Sequence, residues 1–480
     1  MTTSSLLMLA AGAGACWLGS LVRWRLLIYA LFVWLAIAGL VQVRVADPRV
    51  ILVIKDIAFV LPVYATLLWA GGFRRAMSAV PLSVKLAGAV LALLVLLQCG
   101  NPLGPPVLAR VVGLRVWVFS MPMLLVGAAF VRGESDLGRL LKLLIVLAWI
   151  ISIVGLAQWL ASFWFGYRNV MRWFYGDAAA AASQEFTTFE VGDAGGEIRR
   201  IPSTFSFPTQ YYNQLLVATA AAYVGGGFFS RRTWQRRSQA TLVLVGVASF
   251  ASGVRAAYLF TPALFVAMWI FDRRQGRLVA LAAGLGLGVL FLGFAGLKPR
   301  FLYDYILELT VHYARVNTFG YIASYTGVFG NGTGAGTIAT RHVTEEPPLG
   351  VPENYYAKAG FELGVVGVLA VAGLLLATIT EGVRAHARAH APGLRAVTGA
   401  ILGLVVVVAI YSFKGNILDF DPLNVEFWFF VGVMLRVPKL RLHRAQPGWP
   451  RGGLWVRRAA LVERAGAGSS WAAGKGARFG

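Results

Sequence analysis

The sequence predicts an all-α fold, a polytopic membrane helical bundle of about 12–13 transmembrane helices carrying two large extracytoplasmic loops. Three observations lead there. Of 480 residues, 58% are hydrophobic and only 14% charged, at a mean hydropathy of +0.68, whereas a soluble domain carries roughly 25% charged residues. Apolar runs of about 15 to 24 residues recur along most of the chain, the pattern of helices that cross a bilayer. Much of the basic excess, finally, is concentrated in four clusters among the breaks and the tail. This composition excludes an ordinary soluble enzyme.

The runs predict spans at roughly 5–20, 26–43, 50–72, 79–99, 112–131, 138–161, 209–230, 239–252, 256–271, 278–297, 358–380, 396–413 and 425–437. They are continuous rather than alternating, so helices are preferred to the strands of an outer-membrane barrel. The first run lacks the basic leader of a signal peptide, and Arg23 and Arg25 behind it read as a cytoplasmic turn, so it counts as a span. Residues 1–437 are expected to form one membrane domain. The remainder, 438–480, holds nine Lys or Arg against one acidic residue and reads as a basic, disordered cytoplasmic tail.

A net charge of +23 on a soluble chain would point to nucleic acid; here its distribution decides, and no nucleic-acid partner is expected. Arg231 to Arg237, Asp272 to Arg277, Glu381 to Arg395 and the tail concentrate the excess. The long polar stretches 162–208 and 298–357 each hold four basic and five acidic residues. Cytoplasmic loops accumulate Lys and Arg, so the clusters lie inside and both long loops face outward. Cys16 and Cys99 sit inside apolar runs and support neither a disulfide scaffold nor a thiolate metal site. The histidines show no ligand spacing, and no metal or other cofactor is expected.

The stretch 239–271 lies between two Arg clusters that must share a side, so it crosses an even number of times. Helices of 14 and 16 residues would reach only about 21 and 24 Å, less than a hydrocarbon core of about 30 Å. The turn Ser252-Gly253-Val254-Arg255 would then stop below the outer surface, where irregular backbone and a cation require enclosure by protein or a wet cavity. Arg255 is therefore a candidate for chemistry, weighed against a snorkelling arginine that reaches headgroup phosphate.

The first outward loop ends in Arg199-Arg200-Ile-Pro-Ser-Thr-Phe-Ser-Phe-Pro208, where two prolines enforce a non-helical approach to the membrane. Its arginine pair offers planar forks suited to a diphosphate, or simply a lipid anchor. The second loop carries Gly330-Asn-Gly-Thr-Gly-Ala-Gly336. It resembles a phosphate cradle in composition but lacks the Lys and Ser/Thr of a P-loop, so a tight turn that lets a substrate or helix approach closely is the better reading. Glu353 and Glu362 are the acids closest to the entry of the next span, as helix-end acids or as a general base. Arg315 is a further candidate for the cationic group and His342 a further loop base. Gly364 and Gly367 fit helix packing. Arg115 and Lys55-Asp56 read as interfacial snorkelling and a local ion pair.

The order of these features resembles the O-antigen ligase and O-antigen polymerase superfamily over about residues 199–380. Arg200 with Ser203-Thr204-Phe205 and Pro208 is similar to that family's Arg and small-Thr-Phe-x-x-Pro motif. Ser252 to Ala256 is similar to its Ser-x-Arg-small turn with one extra residue, and Val328-Phe329-Gly330 to its Gly-rich segment. Asn354, Tyr356, Glu362, Gly364 and Gly367 match its His-Asn-x-Tyr and Glu-x-Gly-x-x-Gly helix start. The family's histidine falls on Glu353, so a histidine-dependent ligase mechanism does not carry over directly.

The resemblance implies a metal-independent glycosyltransferase of the bacterial inner membrane whose active site faces outward. Its donor would be a polyprenyl-diphosphate-linked glycan and its acceptor a glycan or a lipid, with membrane lipid and other surface-polysaccharide assembly proteins as partners. In this reading Arg200 and Arg255 hold the donor diphosphate and Glu353 deprotonates or orients the acceptor hydroxyl. Arg199, Arg315, Asn354, Tyr356 and His342 contribute to binding. A polymerase is preferred to a ligase; a lipid-linked oligosaccharide flippase or secondary transporter is the alternative of another class.

Overall fold

The computed structural model describes residues 3–44, 53–69, 72–177, 188–191, 196–272, 286, 311, 318–342 and 352–440. The expected span at 278–297, much of the expected loop 298–357, Arg315, the His342 side chain and the tail beyond residue 440 lie outside the described residues.

Apolar sequence becomes helix throughout. The helices are α1 (Thr3–Arg44), α2 (Val53–Trp69), α3 (Gly72–Ala79), α4 (Leu82–Cys99), α5 (Val107–Phe130), α6 (Glu134–Phe165), α7 (Tyr167–Tyr175), α8 (Pro208–Phe228), α9 (Arg232–Ala251), α10 (Arg255–Phe271), α11 (Phe319–Tyr325), α12 (Tyr355–Arg388), α13 (Pro392–Tyr411) and α14 (Leu423–Arg436). A two-stranded antiparallel hairpin, β1 (Thr188–Val191) with β2 (Gly196–Arg199), lies between α7 and α8. The first two predicted spans share α1, whose backbone leaves helical geometry at Arg23, where the sequence placed a turn.

Among the described residues six helices are long and apolar enough to cross a membrane: α4, α5, α6, α12, α13 and the Ala13–Val41 part of α1; α2 and α3 add a seventh if counted as one bent span. The expected twelve or thirteen crossings exceed that number. α10 has 17 residues and α14 only 14, while α8 and α9 carry Gln210, Asn213 and Gln214, or Arg232, Arg236 and Arg237. α9 also corrects the expected short helix at 239–252, because its 20 residues start inside the Arg cluster and reach about 30 Å. Arginine is a good helix former, so the cluster extends the helix instead of ending it.

Close backbone approach sets the packing. A Cβ at Gly127 would lie 2.0 Å from the Phe429 carbonyl oxygen, and one at Gly432 would lie 1.9 Å from that of Leu124. Two facing glycines thus bring α5 and α14 into direct backbone contact, as small residues do between membrane helices. At the end of the bundle near the α1 bend, Arg25 pairs with Asp136 at 3.4 Å and Ser83 donates to Glu381 at 3.0 Å. The opposite end gathers the starts of α8, α10 and α12 with the last turn of α13. There Tyr411 stacks on Phe260 at 4.5 Å and meets Tyr212 edge-on at 6.0 Å.

Candidate functional site

Arg200 is held by the segment that follows it, and that segment is buried from Ile201 to Phe205. Ser203 takes φ = 55°, a left-handed conformation that a non-glycine residue adopts only when its surroundings over-determine it. Its hydroxyl donates to the Ile151 carbonyl at 2.6 Å, while Gln158, at 2.8 Å, and the Tyr175 hydroxyl donate to its carbonyl. Thr204 donates to Ala36 of α1 and accepts from the Leu40 amide at 3.1 Å. Tyr167 closes the array by donating to the Arg200 carbonyl at 2.8 Å. The Pro-Ser-Thr-Phe stretch is therefore a fixed plug between α1, α6 and α7.

The same plug meets the turn before α10. The Ile201 amide donates to Ser252 at 3.0 Å, and Gly253, at φ = 67°, lies so close that a Cβ would stand 2.4 Å from the Arg199 carbonyl oxygen. Ser252, Gly253 and Val254 are buried. The turn is enclosed by protein, as expected, but the full length of α9 removes the argument that set it below the outer surface. Arg255 follows as the first residue of α10, at the positive end of the helix dipole, where a cation costs about 0.3–1 kcal/mol and an anion is favoured.

Glu353 arrives from the other side. The Tyr355 amide donates to Ser412 at 2.8 Å and Asn416 donates to Pro352 at 2.8 Å, tying the start of α12 to the loop 412–422 after α13. That loop brings Lys414, a residue whose sequence surroundings gave no reason to single it out. Burial pushes the Lys414 ammonium down to about 8; Glu353 opposes that shift, and Arg200 and Arg255 add to it. Lys414 is thus the point at which the three sequence candidates act together. Of the four charged groups that interact here three are cations and one is a carboxylate, a balance that suits a multiply charged anion.

The remaining candidates separate from this group. Arg199 turns to α6, donating to the Ser162 carbonyl and lying 4.9 Å from the Phe163 ring, so the arginine pair does not act as one fork. Asn354 caps α12, accepting from the amides of Tyr356 and Ala357 at 2.9 and 3.1 Å. Tyr356 donates to the Ala409 carbonyl at 2.9 Å and packs on Phe413, joining α12 to α13.

The glycine loop does hold an anion, but an internal one. Glu362, fully buried, accepts from the amides of Gly334 and Gly336 at 2.9 Å each, from Thr337 at 2.8 Å and from Trp117 at 2.7 Å. α12 breaks at Gly364 (φ = 76°), where a Cβ would also stand 2.4 Å from the Val328 carbonyl oxygen, so this glycine serves both the break and close packing, against the loop. The carbonyls freed by the break are filled by the loop, with Asn331 donating to Phe361 at 2.8 Å and Gly332 to Glu362 at 3.1 Å.

Buried ion pairs anchor the 412–422 loop. Lys358 meets Asp419 at 2.6 Å, beside the Trp117 ring, and Lys55 meets Asp421 at 3.3 Å and Asp56 at 2.7 Å. Arg115 bonds Asp56 instead of snorkelling. Burial pushes the Asp419 carboxyl up to about 6 against the pull of Lys358. No family model matches the chain, and no curated protein shows significant similarity to it.

Proposed function

We propose that the protein is a bacterial inner-membrane glycosyltransferase that polymerises a surface polysaccharide from polyprenyl-diphosphate-linked glycans, with its site facing the extracytoplasmic side and with twelve or thirteen crossings in all. The observation that carries this reading is the convergence of Arg200, Arg255 and Lys414 with Glu353 at one end of an apolar helical bundle. In the proposed step an acceptor hydroxyl oxygen attacks the anomeric carbon of the donor glycan and its proton passes to the Glu353 carboxylate. The bond from that carbon to the diphosphate oxygen breaks, and the polyprenyl diphosphate leaves with the electron pair. Preorganised cations sheltered from water stabilise the charge that grows on it. A hydroxyl on a lipid acceptor would serve the same chemistry, which is the ligase reading.

A second reading, transport of a lipid-linked oligosaccharide, draws on the break in α12 at Gly364 and on the ion pairs of Lys55, Asp56 and Asp421, since broken helices and intramembrane charges are common in transporters. Purified protein given a carrier-linked glycan separates the two. Elongation of the glycan without nucleotide is the expected result; movement between leaflets without any longer product would overturn the enzymatic reading.

A further inference from the structure

The end of the bundle opposite Lys414 holds a second feature that glycan transfer does not use. A cavity of about 240 Å³ is walled by Met77, Val80, Gly88, Met121, Leu374 and Trp428, with Lys85 at its edge. Lys439 donates to the carbonyls of Ser78 and Ala79 at 2.7 and 3.2 Å, beside Met77 and Val80 of that wall. The Lys439 ammonium is pushed down by burial and by the like charges of Arg436, Arg388 and Lys85, and Arg75 acts in turn on Arg436. Glu381, on the adjoining stretch of α12, already accepts from Ser83 and from Arg384.

Capping the last carbonyls of α3 accounts for the position of Lys439. It gives no reason for the like charges of Arg436, Arg388 and Lys85 to act on it, nor for Lys85 to line an apolar cavity. Lys85 in the lining of an apolar cavity and Lys439 bonded beside its wall match a molecule that is anionic at one end and hydrocarbon at the other. In a bilayer that molecule is present at high concentration.

We infer that this cavity binds an anionic phospholipid, its acyl chain against Gly88, Met121 and Trp428 and its phosphate among Lys85, Arg436 and Lys439. The site is independent of the glycan chemistry and would hold in either functional reading.

The test is native mass spectrometry of the full chain in neutral detergent, titrated with phosphatidylglycerol or with phosphatidylcholine of the same chains. Phosphatidylglycerol should be retained preferentially, and Lys85→Gln and Lys439→Gln should each cut that preference about fivefold. Gly88 has space beside it, since a Cβ there would stand 3.6 Å from the Met121 methyl group, so Gly88→Leu should fill the cavity and lower retention of both lipids while leaving the charges in place. Equal retention of the two lipids by the unmodified protein would overturn the inference. So would an undiminished preference in both lysine variants, or undiminished retention of both lipids by Gly88→Leu, once their unfolding transitions match the unmodified protein's. Competition by glycerol phosphate as strong as by the whole lipid would also overturn it, by showing a headgroup patch with no chain site.

Discussion

The glycine loop 330–336 and the Arg200, Arg255 and Lys414 cluster both offer positive groups to an anion, yet they differ in what is left over. In the loop, two amides, a hydroxyl and an indole N–H converge on the Glu362 carboxylate, so the anion belongs to the fold. In the cluster, Arg200, Arg255 and Glu353 act on the buried Lys414, and three of these four charges are positive. The region that looks like a phosphate cradle in composition is structural. The one whose parts are scattered over more than two hundred residues is suited to an external anion.

That contrast is broken most directly by truncating each side. Arg255→Ala or Arg200→Ala, at normal membrane levels, should lower glycan transfer about 10²–10³-fold, as loss of a preorganised charge-stabilising donor does. Full activity in either variant would remove that residue from the site. Glu362→Ala should act on the fold, leaving its buried donors unsatisfied at a cost of about 3 kcal/mol or more, read as lower membrane abundance and a lower unfolding temperature. Normal stability with lost transfer would reverse the assignment of the two regions.

Lys414 sharpens the comparison through pH. Its folded value lies near 8, below the ordinary 10.5, so it is charged below about pH 8 and neutral above. If its charge helps hold the donor, KM for the donor should stay level up to about pH 7 and then rise toward tenfold per unit above 8. Lys414→Arg, which keeps its charge, should flatten the profile; an unchanged profile would exclude Lys414 from donor binding. Arg199→Ala should have the smallest effect, a few-fold at most, because its guanidinium is spent on Ser162 and Phe163. A loss equal to that of Arg200→Ala would restore the two arginines to a single fork.

Much of the fold was legible because burial of apolar runs is a local signal. The predicted spans that fall on described residues lie mainly on helix, and the turns at Arg23 and at 252–254 appear where breaks in the apolar runs placed them, although the short helix expected before the second turn is not found. Helix limits were less legible, as α9 shows, because a run of arginines breaks hydropathy without breaking helicity. Of the site, the arginines and Glu353 could be proposed from sequence, but Lys414 could not be ranked. It stands alone after a span, in Phe-Lys-Gly, and gains meaning only from Glu353, Arg255 and Arg200, all far from it along the chain. A usable signal was present in the neighbouring Asp419 and Asp421, two acids in a short turn that call for buried partners elsewhere. Glu362 had a plain helix-end explanation until the loop folded back on it.

The glycine pair at the crossing of α5 and α14 reaches further than its own contact. Because α14 continues directly from the 412–422 loop, even a methyl group added at Gly127 or Gly432 would wedge these helices apart and drag the loop's lysine out of register. A random screen for inactive variants should therefore return both positions, although neither touches a reactant. Their phenotype would masquerade as a chemical defect while arising from a hinge of bare backbone deep in the bundle.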